Sequence, residues 1–238
     1  MKNNQTASFP GVLLYILAVV SGLFLIVIST WGDMEADSYG FARRASAPLS
    51  GLSCPILLTR NESGAIALNV SNTTSTPLHP SARTEISAAF EPEVFVESIE
   101  LAPGESKRLQ WSLKPENIVL GNFVLANVQV YASYPIPNRE KTCGILIMDW
   151  PGSGLTIVTA LGMFTVIGLG WGLYSMSKSG VLRNKASLTW NAILFLAGLI
   201  ILGLVFSATG SWIPSIGILV LSILISILLL STTVLRGN

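Results

Sequence analysis

Two periodicities divide this 238-residue chain. At 11–29, "GVLLYILAVVSGLFLIVIS", apolar and small residues run for nineteen positions without a charge, about 28 Å of helix and close to one hydrocarbon core. A second uncharged run covers 155–174, and a third, 186–235, is fifty residues long, about twice what one crossing uses. That third run must fold back. The break lies in "SATGSWIPS", where Gly210 and Pro214 disfavour continuous helix. The pattern predicts transmembrane helices over 11–30, 150–175, 188–207 and 213–234. A loop over 176–187 and a turn over 208–212 connect the last three, and short ends remain at 1–10 and 235–238. A cleaved signal peptide is the rival reading of the first run, because Lys2 precedes it. Signal cores need only about 7–15 apolar residues, however, and no small-x-small cleavage site follows cleanly.

Between 53 and 147 the period shortens to two, the mark of half-buried strands. "RLQWSLKP" sets Leu109, Trp111 and Leu113 against Arg108, Gln110 and Ser112, and "IALNV" does the same with Ile66, Leu68 and Val70. "NFVLANVQVYAS" places Val124, Ala126, Val128, Val130 and Ala132 on one face and Phe123, Leu125, Asn127, Gln129 and Tyr131 on the other. Apolar residues on both faces suggest a central strand covered on both sides. Turn signals at 60–64, 72–80, 91–92, 103–104, 115–121 and 135–138 cut the segment into about seven strands, the pattern of an Ig-like sandwich. Pro103-Gly104 fits the centre of a type II turn.

Composition agrees with this division, since half the residues are hydrophobic and only 11% are charged. The distribution of charge adds orientation. All thirteen Asp and Glu lie between Asp33 and Asp149 with nine of the fourteen Lys and Arg, so this stretch is four charges negative. The remaining cations, Lys2, Lys178, Arg183, Lys185 and Arg236, lie outside it. Short loops rich in Lys and Arg stay cytoplasmic, which puts 176–187 and both termini inside and 31–149 outside, in a multi-pass protein of the cell membrane. Trp31, Trp150, Trp171, Trp190 and Trp212 fall near the proposed helix ends, where indoles anchor at the interface. The expected fold is therefore an extracytoplasmic all-β Ig-like sandwich inserted between a first transmembrane helix and a three-helix transmembrane bundle.

Cys54 and Cys143 are the two cysteines. They lack a Cys-x-x-Cys spacing, and only Lys141 lies near enough in sequence to activate a thiolate. An outward domain permits oxidation, and the two are expected to form a disulfide joining the first strand to the last, worth about 4–5 kcal/mol by loop entropy. "DWPG" then reads as a strand-to-helix junction, with Asp149 or Ser153 available to cap the helix and Pro151 tolerated in its first turn.

"LAPGESKRLQWSLKPENIVLGNFVLANVQV" resembles bacterial Ig-like modules of the NEW3 type in its proline-glycine turn, polar-apolar strand and G-x-F-x-L strand. The likeness covers about thirty residues. It implies a spacer or binding platform beside other machinery.

Chemical signatures are few. His79 is the sole histidine, so neither a multi-histidine metal site nor a cofactor motif is expected. "DMEAD" at 33–37 resembles the start of a calcium loop but has Ser38 in place of the required glycine, and is read as juxtamembrane acids. Glu91, Glu93, Glu97 and Glu100 read as a solvated acidic face, and an acidic outer domain disfavours nucleic acid. None of the four apolar runs carries an acid, a base or a histidine, as ion-coupled pathways usually do. They do carry small residues for helix packing: Gly168 and Gly172, and Ser222 and Ser226. The expected function is non-enzymatic: a membrane accessory or scaffolding subunit, with the lipid bilayer and other membrane subunits as partners. Two alternatives are a transport or channel component, and an envelope module that binds glycan or protein.

Overall fold

The computed structural model describes residues 9–45, 47–131, 137–178 and 188–237. The expectations placed on Lys2, Ala132, Arg183 and Lys185 lie outside them. The chain divides into two compact units, Met1–Thr30 with Ile157–Asn238, and Trp31–Thr156.

The Trp31–Thr156 unit is a two-sheet sandwich. Its described strands are β1 (Ala47–Pro48), β2 (Leu52–Ser53), β3 (Leu57–Thr59), β4 (Ala65–Ser71), β5 (Ser81–Ile86), β6 (Glu93–Ser98), β7 (Ser106–Ser112), β8 (Phe123–Tyr131) and β9 (Arg139–Met148), with a 3-10 turn at Pro115–Asn117. The larger sheet has the order β1-β9-β8-β5-β6, with β3 also on β9, and the smaller is β2-β4-β7. β1 and β3 run parallel to β9, and the remaining pairs are antiparallel. An early segment that switches sheets between β2 and β3 belongs to the Ig-like pattern. Alternation sets the core: Ile66, Leu68, Leu109 and Trp111 of the smaller sheet meet Ile86, Val124, Val128 and Ile145 of the larger. Gly104 takes φ +77, as the Pro-Gly turn requires.

The other unit contains four apolar helices: most of α1 (Phe9–Ser38) and α2 (Gly154–Lys178), with α3 (Leu188–Ala208) and α4 (Trp212–Gly237). Each is long and apolar enough to cross a membrane. α3 and α4 are separated at Gly210, whose φ of +64 ends the first helix, and Pro214 falls in the first turn of the second.

Two expectations are corrected. α1 is not set apart from a three-helix bundle. Half of its most apolar window is buried, against 17–33% for the other three helices, and Tyr15, Ala18, Val19 and Ile26 form one core with Leu169, Met176, Leu196 and Ile200. α1 also does not end at position 30 but continues to Ser38, so "DMEAD" is helical. Thirty residues give about 45 Å of helix, well beyond one hydrocarbon core, and residues 31–38 belong to the sandwich unit.

Candidate functional site

β9 is where the chemistry of the sandwich concentrates, because its alternation points Cys143 inward and Gly144 outward. Cys143 is bonded to Cys54 across a Cα–Cα distance of 6.5 Å, leaving no free cysteine among the described residues. Cys54 does not open the first strand as expected. It follows β2, at the step where the chain leaves the smaller sheet for the larger. The bond therefore ties the two sheets together through the core as well as joining distant parts of the sequence.

On the outer side the end of α1 lies directly on β9. A Cβ on Gly144 would overlap the Gly32 carbonyl, and one on Gly32 would sit 2.9 Å from the Gly144 carbonyl oxygen. Two glycines meeting backbone to backbone make this crossing possible. Ala36 and Phe41 then pack on Phe123 and Leu125, and the Trp31 ring lies 5.6 Å from that of Phe123. This is the second covering layer that the two-sided strand β8 called for.

Asp33, read from the sequence as one of a group of juxtamembrane acids, is buried in the same crossing. β1 pairs with β9 at 139–140 and β3 at 146–148, leaving a gap between them. There the Asp33 carboxylate accepts the Gly144 N–H at 3.3 Å. Burial pushes the Asp33 carboxyl up to about 6, against the opposing pull of that hydrogen bond and of the Lys141 charge. The neighbouring acids are exposed or paired: Glu35 accepts the Trp31 indole N–H at 2.8 Å, and Asp37 pairs with Arg43.

The helix α2 is capped from a distance. Glu62 Oε2 accepts the Gly154 N–H at 2.7 Å and the Thr59 N–H at 3.0 Å, while Ser153 Oγ donates to Oε1 at 2.7 Å. Burial alone would raise this carboxyl, but these bonds outweigh it and hold Glu62 below the usual glutamate range. Asp149, an expected cap, instead pairs with Arg60 at 2.6 Å. Ser153 acts only through Glu62. The residue that performs the task lies ninety-two positions before the helix start, beyond any local capping signature.

In the helical unit the small residues are already occupied. A Cβ on Gly168 would lie 2.8 Å from the Ala18 side chain and one on Gly172 would lie 2.8 Å from Tyr15 Cβ, so the helix that uses this motif is α1 of the same chain. Three hydroxyls of α1 donate to backbone carbonyls of its neighbours: Tyr15 to Ile193 at 2.8 Å, Ser21 to Leu161 at 3.3 Å and Ser29 to Ser207 at 3.3 Å. Ser222 is fully buried without a hydroxyl partner, while half-buried Ser226 donates to the Ser222 carbonyl. Trp31, Trp150 and Trp171 are exposed, Trp190 packs against the helical core, and Trp212 begins α4.

At the other end of the sandwich from the α2 cap is an open cleft of about 260 Å³, lined in part by Leu49, Asn69, Thr73, Thr74, Leu101 and Arg139. Asn72 beside it is not free. Its amide donates to the Thr76, Leu101 and Ala102 carbonyls, and its oxygen holds Thr74. Neither the cleft nor the junction assembles a nucleophile with a base. No group of three or more His, Cys, Asp or Glu that could hold a metal occurs among the described residues.

No protein-family model matches the chain, and no curated relative matches it. Some solved structures match part of the chain. The CARDB domain of a Pyrococcus furiosus protein, solved in complex with di-metal ions, matches 45% of this chain and 98% of its own at 13% identity and TM-score 0.33. A Paenibacillus cycloisomaltooligosaccharide glucanotransferase matches at 13% identity and TM-score 0.33. A Listeria innocua β-glucosidase matches at 16% and 0.29. Of each of these two enzymes the alignment spans 15% of the length. The Ig-like description rests on the strand order.

Proposed function

We propose that this chain is a non-enzymatic integral membrane protein, crossing the bilayer four times and displaying its sandwich on the extracytoplasmic side as an accessory or scaffolding subunit of a larger assembly. The observation that carries this reading is the Cys54–Cys143 disulfide inside the Ig-like unit, because such bonds persist in oxidising compartments. Charge supports the same orientation: Lys178, Arg183 and Lys185 lie between the second and third helices, and no acid occurs outside 33–149. Within this reading the sandwich is a NEW3-like platform.

Occupation of Gly168 and Gly172 by α1 directs lateral contacts to other faces, such as the one bearing Gly162 and Gly170, which meet nothing within 4 Å. Extraction in mild detergent tests the proposal: a reproducible larger complex is expected, and a lone monodisperse monomer overturns it. Accessibility mapping on intact cells tests orientation, with the sandwich reached and 176–187 protected. A second reading, an envelope-binding module, is favoured by the open cleft, and predicts that glycan or peptide ligands protect Arg139 from modification.

A further inference from the structure

We propose that one end of the sandwich is a lipid-binding collar, made by Phe90 and Leu120 at two loop tips with Trp31 and Trp150, that inserts into the headgroup–acyl boundary of a bilayer. The inference rests on the membrane reading above.

Strand register gathers these residues. Ile86 pairs with Ala126, which pairs with Cys143, so the loop after β5, the loop before β8 and the end of β9 emerge together. The loops are bound to one another and to β9. Ser87 N–H donates to the Leu125 carbonyl and Ser87 Oγ to the Asn117 carbonyl, and Ile147 N–H donates to the Asn122 carbonyl at 2.8 Å. The chain enters the unit at this end through Trp31, packed on Phe123, and leaves it through Trp150.

Four large apolar side chains are bare here: Phe90 is 100% exposed, Leu120 61%, Trp31 50% and Trp150 48%. Leu120 is the stronger sign. With φ +50 it is the one non-glycine residue at positive φ among the described residues. Left-handed backbone is unfavourable for a branched residue, and this exposed side chain recovers little of that by packing in the fold. Glycine or asparagine would serve a plain solvated turn better. An exposed aromatic and a strained, exposed leucine on loops at one end of the sandwich mark a surface that meets an apolar phase.

Chain continuity selects lipid as that phase. Trp31 directly follows Thr30, and Trp150 precedes Gly154, so this end is bonded within a few residues to two helices apolar enough to cross a membrane. Aromatic residues placed this way sit at the headgroup level. The cations at this end are already paired, Arg60 with Asp149 and Lys114 with Glu93, and Glu91 and Glu116 lie in the same two loops, so attraction is apolar and the matching surface is zwitterionic rather than anionic.

The test uses the full chain in phosphatidylcholine vesicles. A single added cysteine at Phe90→Cys or Leu120→Cys carries an environment-sensitive fluorophore, with the native disulfide intact, and nitroxide lipids spin-labelled high on the acyl chain act as quencher. Blue-shifted, quenched emission is expected at both sites, and water-like, unquenched emission at Lys107→Cys at the other end of the sandwich. Ile223→Cys, on an exposed face of α4, reports the parent reading separately. Quenching at 223 without quenching at 90 and 120 overturns the collar alone, whereas no quenching at 223 overturns the membrane reading and the collar with it. A blue shift at 90 and 120 without quenching means protein covers them, and also overturns the proposal. Leu120→Gly should raise the unfolding midpoint in detergent while weakening quenching at 90; a lower midpoint would make the leucine structural and overturn its assigned role.

Discussion

The sandwich and the helical unit hold themselves together by different physics. In the sandwich, buried apolar side chains from two sheets fill a common core around a covalent cross-link, and removal of that surface from water supplies the drive. The helical unit leaves most of α2 and α4 bare of protein. In the proposed bilayer, lipid is as apolar as leucine, so burial there would gain little, and close fit with hydroxyl-to-carbonyl bonds would replace it. Gly168 against Ala18, Gly172 against Tyr15, and the Tyr15, Ser21 and Ser29 donors of α1 supply that fit. Under the proposed membrane reading, one sequence thus uses volume where water is the alternative and shape where lipid is.

The largest break in this contrast should come from Cys54→Ser. The disulfide spans 89 residues, and its loss should destabilise the sandwich by about 4–5 kcal/mol while leaving the helical unit unchanged, as read by chemical denaturation in detergent with and without reductant. Next is pH. The folded-state pKa of Asp33 is raised from 3.8 to about 6, so the native state binds the extra proton and sandwich stability should rise as pH falls from above 6 towards 4, by up to about 3 kcal/mol. Asp33→Asn should flatten that part of the profile, and an unchanged difference between variant and parent across this window would reject the assignment. On the helical side, Gly172→Leu should cost about 1–3 kcal/mol by overpacking. Gly170→Leu, which meets open space, should be close to neutral, both variants being read by SDS titration of the helical unit. The smallest effect belongs to Glu62→Gln, about 1 kcal/mol for weakening a helix cap. Because the folded pKa of Glu62 is lowered from 4.5, its contribution is present above that value and lost as pH falls through the lower one, opposite in sign to Asp33.

Local pattern carried the architecture. Alternation in "RLQWS" buried Leu109 and Trp111 and exposed Arg108 and Gln110, and apolar residues on both faces of β8 announced a covering layer. The nature of that layer was not legible, because the charge of "DMEAD" argues for solvent while the helix in fact carries Asp33 onto a backbone N–H left open by two short strands. Nor could local sequence identify Glu62 as the cap of α2, since its partners come from the far end of the chain. Gly168-x-x-x-Gly172 announced a close helix contact but not its owner. Choosing between another subunit and α1 requires the three-dimensional arrangement.

The distant cap has a consequence for biogenesis. The leading amide of α2 finds its acceptor only after the ribosome has released the whole domain and residue 62 has been brought back beside residue 154. A nascent chain with the final strand undocked therefore carries a helix with a bare, partly positive terminus, chemically distinct from the finished product. Docking of the final strand and completion of the helix start are thereby one event rather than two.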